Sequence, residues 1–189
     1  MRKPKILLPF HTITERGPAE IPPEILAFAT LVGRVTLQWT ALQEALAELF
    51  AEVVTPDNHP VAVAIWNALQ NDKNQRDQLL AAAEETFVAE CRALNEIKWL
   101  VNRTGETAGD RNRLIHSPFT LRWNWGNSFV APSKVTSNRR AVQLGDKDLA
   151  AEANRCIVRL VKLSCYAHQL RQAISSDLPD DEWPQQPQL

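Results

Sequence analysis

PEILAFATLVGRVTLQWTALQEALAELFAEVV, residues 23–54, decides the fold class. Its apolar positions Phe28, Val32, Val35, Trp39, Leu42, Leu46, Leu49 and Val53 recur in strictly alternating steps of four and three. That spacing holds one stripe on one face of a helix from about Pro23 to Val54. Pro23 suits the first turn, where a backbone N–H has no intrahelical acceptor and is not missed. A stripe this long must be covered by another helix, from the same chain or from a second subunit. Leu149, Ala153, Cys156, Leu160, Leu163, Ala167, Leu170 and Ile174 repeat the same alternation late in the sequence, after Asp146 as a candidate cap. The two stripes predict long helices that pack on each other or on symmetry mates.

Between them the chain is punctuated. Pro56 and Pro60 break it, and helix resumes near Val61 on Val61, Ile65 and Leu69. After a polar run, Leu80, Ala83, Phe87, Cys91, Leu94, Ile97 and Val101 predict a helix from about Lys73 to Asn102. Gly105 and Gly109 read as its end, and Asp110 as the cap of a new short helix that Pro118 closes. Leu121, Trp123 and Trp125 then alternate with polar residues, Gly126-Asn127 can turn, and Ser128–Val130 can return as a second strand. The expected architecture is all-α. An up-and-down bundle of about four to five helices spans residues 23–176, with a small β-hairpin inserted at about 120–140. A proline-rich arm at 1–22 precedes it, and a loose tail at 177–189 follows.

Composition narrows the function. The 189 residues suit one domain, and 44% hydrophobic with 23% charged residues suits a soluble globule. A net charge of −1 argues against a bulk polyanion binder, but the charge is uneven. From Lys98 to Arg140, eight basic residues (Lys98, Arg103, Arg111, Arg113, Arg122, Lys134, Arg139 and Arg140) meet only Glu106 and Asp110, a local net charge of +6. Such a field suits a phosphate-bearing ligand, or a solvated loop paired with acidic helices. Cys91, Cys156 and Cys165 have no metal-type spacing and predict buried thiols in a reducing compartment. Ile6–Phe10 is too short for a secretory core, and no segment reads as a membrane span, so the expected location is the cytoplasm. Glycine-rich phosphate loops, zinc spacings and serine elbows are absent from the sequence. A helix-turn-helix over Asn95–His116 fails because its linker is too long and its second helix too short.

Arg111-Asn112-Arg113-Leu114-Ile115-His116 lies inside the basic segment. An arginine can hold a phosphate through two parallel hydrogen bonds, and a histidine can move a proton near neutral pH. An asparagine offers donors and an acceptor for positioning. At about 100° per residue, Asn112 and His116 are about 40° apart on a helix, whereas Arg111 and His116 are about 140° apart. Convergence of Arg111 and His116 therefore needs a long reach, a non-helical start, or two copies meeting. Trp123, Trp125 and Phe129 could stack on bases or glue the hairpin to the helices.

Arg111-Asn112-x-x-x-His116, after one long helix and before another, resembles the signature of the HEPN superfamily of small all-α proteins, many of them ribonucleases. The resemblance covers the motif and the helical layout. It implies a metal-independent endoribonuclease without cofactor, with Arg111, Asn112 and His116 catalytic at a composite site between two copies. Arg113, Arg122, Trp123 and Lys134 are the expected RNA contacts. A toxin or defence role, with a cognate antitoxin protein, is common among such proteins. Ser117-Pro118 stands where the pattern often has a small residue such as glycine, which puts access to the site in question. The other reading is a non-catalytic helical dimer that binds a nucleotide, RNA or a protein.

Overall fold

The computed structural model describes residues 21–124, 127–133, 138–145 and 147–189. These build a mostly helical bundle: α1 (Pro23–Val54), α2 (His59–Ala68), α3 (Asp72–Thr86), α4 (Arg92–His116), short α5 (Arg139–Leu144) and α6 (Leu149–Ser175). A two-stranded antiparallel hairpin, β1 (Phe119–Asn124) and β2 (Asn127–Pro132), stands between α4 and α5.

The two stripes meet within one chain. Val35, Trp39, Leu42, Leu46, Leu49 and Val53 of α1 are buried, as are seven of the eight stripe positions of α6, with Ile174 packed at the edge. Burying each such leucine contributes about 1.5–3 kcal/mol. α1 and α6 form the most extensive helix pair. Ser164 Oγ donates to the Ala41 carbonyl at 3.4 Å, and Arg171 lies 3.7 Å from Glu48. Both links join residues at one sequence separation, so α1 and α6 run parallel. α4 runs antiparallel to α6, because Glu96 meets Tyr166 whereas the later Asp110 meets the earlier Arg159.

The hairpin pairs Phe119 with Pro132 through to Asn124 with Asn127. The Ser133 N–H donates to the Pro118 carbonyl at 2.8 Å and closes its base. The Phe119 ring meets Phe28 edge-on at 4.7 Å, which ties the hairpin to α1. Trp125 and Gly126 lie outside the described residues.

Several expectations are corrected. The helix expected over 73–102 is broken at Phe87–Cys91, a segment without glycine or proline. Glu90 there takes φ 67°, and the Asn95 side chain donates to its carbonyl at 3.2 Å. Conversely, α4 runs unbroken through Gly105 and Gly109. Its inward positions Leu94, Ile97, Val101, Thr104, Ala108, Arg111 and Ile115 continue the alternating steps of three and four, so tertiary packing holds the glycines helical. Asp110 is consequently mid-helix and not a cap. Asp148 caps α6 by accepting from the Ala150 and Ala151 N–H groups, while Asp146 lies outside the described residues.

The tail is seated. Trp183 is 8% exposed, donates to the Leu178 carbonyl at 2.8 Å, and lies under the Arg92 guanidinium at 5.8 Å. Cys156 is buried and Cys91 half-buried, but Cys165 is exposed. α1 is also long and apolar enough to cross a membrane by length and composition, contrary to the sequence reading. Only 17% of its most apolar 18-residue window is buried within this chain.

Candidate functional site

Position 111 falls on the inward stripe of α4, where a core residue would stand, and this fixes what Arg111 can do. Its guanidinium lies 5.4 Å from the centre of the Trp39 ring, in cation–π range, and the half-buried side chain donates from Nη1 to Asn112 Oδ1 at 2.8 Å. Its Nε is buried with no hydrogen-bond partner among the described residues. Asn112 lies about 100° round the helix from Arg111, on the His116 side. The hydrogen bond joins the two side chains while the guanidinium stays over the Trp39 ring.

His116 is exposed and is the last residue of α4. Ser117 follows with ψ 140°, the extended backbone that Pro118 imposes on its predecessor. The motif thus occupies the last turns of a 25-residue helix and not a first turn. The free backbone N–H groups that a first turn would offer an anion are absent there. No hydrogen bond joins His116 to Arg111 or Asn112 among the described residues.

The other expected contacts disperse. Arg113 turns away from the motif and pairs with Asp110, which also accepts from Arg159 Nη1 at 2.8 Å. Asp110 thereby clamps α4 to α6. Arg122 lines a cleft of about 660 Å3 between the hairpin, the start of α1 and the start of α6, which contains none of the motif residues. The Trp123 side chain and Lys134 lie outside the described residues.

Two features escape a reading by sequence. Trp39 serves both as core and as the surface under Arg111, and its place on the stripe signals only the first role. Arg155 and Arg159 of α6 join Arg113 in space, although they lie 42 or more positions away from it. Counting charge along the chain misses them.

Beside the motif, an apolar groove of about 310 Å3 runs between α1, the end of α4 and the hairpin, with Phe28, Val32, Leu114, Ile115 and Leu121 among its walls. Elsewhere on the first half of α1, Leu26 is 58% and Leu37 is 69% exposed. Among the described residues, no cluster of three or more His, Cys, Asp or Glu side chains could hold a metal ion.

No protein-family model, no curated protein and no solved structure matches this chain.

Proposed function

We propose that the protein is a metal-independent endoribonuclease of HEPN type that acts as a homodimer in the cytoplasm. The observation that carries this reading is the Arg111–Asn112 hydrogen bond beside an exposed His116 at the end of α4. It ties the Arg111 cation to the neighbouring amide one turn before the imidazole, and the three residue types suit phosphodiester chemistry.

In the proposed reaction an RNA 2′-hydroxyl attacks the adjacent phosphorus. The O2′–P bond forms, the P–O5′ bond breaks, and a 2′,3′-cyclic phosphate and a 5′-hydroxyl result. A neutral His116 imidazole takes the 2′ proton, and an imidazolium from the second copy protonates the leaving 5′ oxygen. Arg111 offsets the charge gathering on the phosphorane oxygens, and Asn112 orients the guanidinium through its Oδ1. The groove beside Ile115 supports dimerisation because it adjoins the motif end of α4, and the exposed Leu26 and Leu37 of α1 add apolar surface. A toxin or defence role with a cognate antitoxin protein belongs to this reading as a proposal.

A second reading, a non-catalytic helical dimer that binds a nucleotide, RNA or protein, is favoured by one observation. Arg111 stacked on Trp39 and Arg113 paired with Asp110 both have structural employment. Incubation of wild type and His116→Ala with mixed single-stranded RNA in chelator separates the two. Cyclic-phosphate ends made by the wild type and absent with the variant support the nuclease. Equal cleavage by both proteins removes His116 from the mechanism. No cleavage by a folded, dimeric wild type moves the assignment to the binding module.

A further inference from the structure

We propose that the hollow between α4, α5 and α6, which adjoins the motif but contains none of its three residues, is a binding site for a phosphate group. It measures about 210 Å3, with Asp110, Arg113, Lys147, Glu152, Arg155 and Arg159 around it and Leu114, Leu144 and Cys156 as its apolar part.

Charge is the first argument. Four cations share two carboxylates: Asp110 serves Arg113 and Arg159, and Glu152 serves Arg155 and Lys147. Among the described lining residues the surplus is two positive charges, which matches a phosphate dianion. The apolar floor strengthens their field, since a low local dielectric screens charge less than water does. Burial pushes the Cys156 thiol up to about 12, so the floor adds no thiolate to oppose an anion.

Geometry is the second. Arg155 and Arg159 stand four residues apart on α6, so two like charges face each other along one side of the helix. Such a pair is mildly unfavourable on a helix surface, and an anion between them relieves it. Guanidinium forks suit phosphate oxygens, which accept two parallel hydrogen bonds. The first N–H groups of α6 are occupied by the Asp148 cap, so the site rests on these side chains.

The phosphate belongs either to a nucleic-acid strand or to a small phosphate monoester. The strand source deepens the ribonuclease reading, on which it rests. Arg113 is three residues before His116 and about 60° round α4, so an RNA backbone crossing His116 runs on toward the hollow. The phosphate site itself does not depend on cleavage.

The test uses Lys147→Gln/Arg155→Gln, which removes the surplus charge. These side chains are 51% and 59% exposed, and neither contacts Asp110, so the α4–α6 clamp stays intact. Arg155→Gln alone serves if the double variant is unstable. First, melting is compared in inorganic phosphate and in chloride at equal ionic strength. Phosphate raises the wild-type midpoint and leaves the variant unmoved if the site exists. Equal shifts in both proteins, or none in either, overturn the proposal.

Second, short single-stranded RNAs with a 5′-phosphate or a 5′-hydroxyl are titrated against the non-cleaving His116→Ala protein, with and without the double substitution. A roughly tenfold loss of affinity in the variant, with a salt slope lower by about two, supports a strand phosphate. A preference for the 5′-phosphate identifies a terminal group, and equal affinities identify an internal one. A phosphate effect on melting with no effect on RNA assigns the site to a small monoester. Failure of RNA cleavage with the phosphate effect intact sinks the nuclease reading and leaves this site standing.

Discussion

Replacing Gly105 and Gly109 by alanine tests the placement of the motif directly. Both lie inside α4, and neither has a positive φ. A Cβ at Gly105 would come no closer than 4.0 Å to Arg76 Nε, and one at Gly109 no closer than 3.7 Å to Arg113 Nη1. Both are ordinary contacts with flexible side chains, so space does not oppose the change. Alanine in a helix interior is better than glycine by about 0.5–1 kcal/mol, chiefly because the unfolded glycine has more freedom to lose. The double variant should therefore gain about 1–2 kcal/mol. For a domain of this size that raises the melting midpoint by roughly 2–8 °C. Differential scanning calorimetry with urea titration measures it. Had these glycines ended one helix and begun another, at least one would occupy a left-handed cap, where alanine costs about 1–2 kcal/mol. A fall of several degrees would mean that α4 is not continuous, and the motif would return to a first turn.

Other expectations follow from the packing. Asp110→Asn loosens the clamp between α4 and α6. Its partners are partly exposed, so solvent screening keeps the cost to about 1–3 kcal/mol, and a double-mutant cycle with Arg159→Gln should return a coupling of at least about 0.5 kcal/mol. Zero coupling would remove the clamp. Leu160→Ala, at a site with no exposure, should cost about 2–5 kcal/mol by urea titration. A cost under 1 kcal/mol would mean that the α1–α6 seam is not the core. Alkali should destabilise the fold. The Cys156 thiol, pushed from 9.0 up to about 12, keeps its proton in the folded chain where the unfolded chain has lost it. Stability then falls as pH climbs from about 9 toward 12, and Tyr166, raised by burial and its bond to Glu96, acts in the same direction from its ordinary value of 10.0 upward. Cys156→Ala should retain a larger share of its pH 8 stability at pH 10.5, and an unchanged pH profile would contradict the burial.

The sequence was most legible where one period ran without interruption. The α1 stripe located both ends of its helix, and the α6 stripe found its partner. The hairpin emerged because alternation by two replaces steps of three and four at Thr120. α4 was misread for a physical reason. Glycine is a weak local signal that packing overrides, and the stripe through Thr104, Ala108 and Arg111 is carried by small or polar residues that do not register as apolar. The true break at Phe87–Cys91 has no glycine or proline to announce it. At the site, the motif residues could be named, but their neighbours could not. Trp39 and Arg159 reach the motif segment from helices far away in the chain, and spacing along a sequence carries no record of such meetings.

The parallel pairing of α1 with α6 has a consequence for how the chain is made. Synthesis at about 5–20 residues per second leaves an interval of roughly 6–24 s between completion of α1 and completion of α6. During that interval the longest described helix of the protein has been made without the partner that covers its inward stripe. Pairing over so long a separation also slows folding once synthesis ends. The nascent chain should therefore bind cellular factors that shelter apolar helices, and release from them should coincide with emergence of Leu149–Ser175.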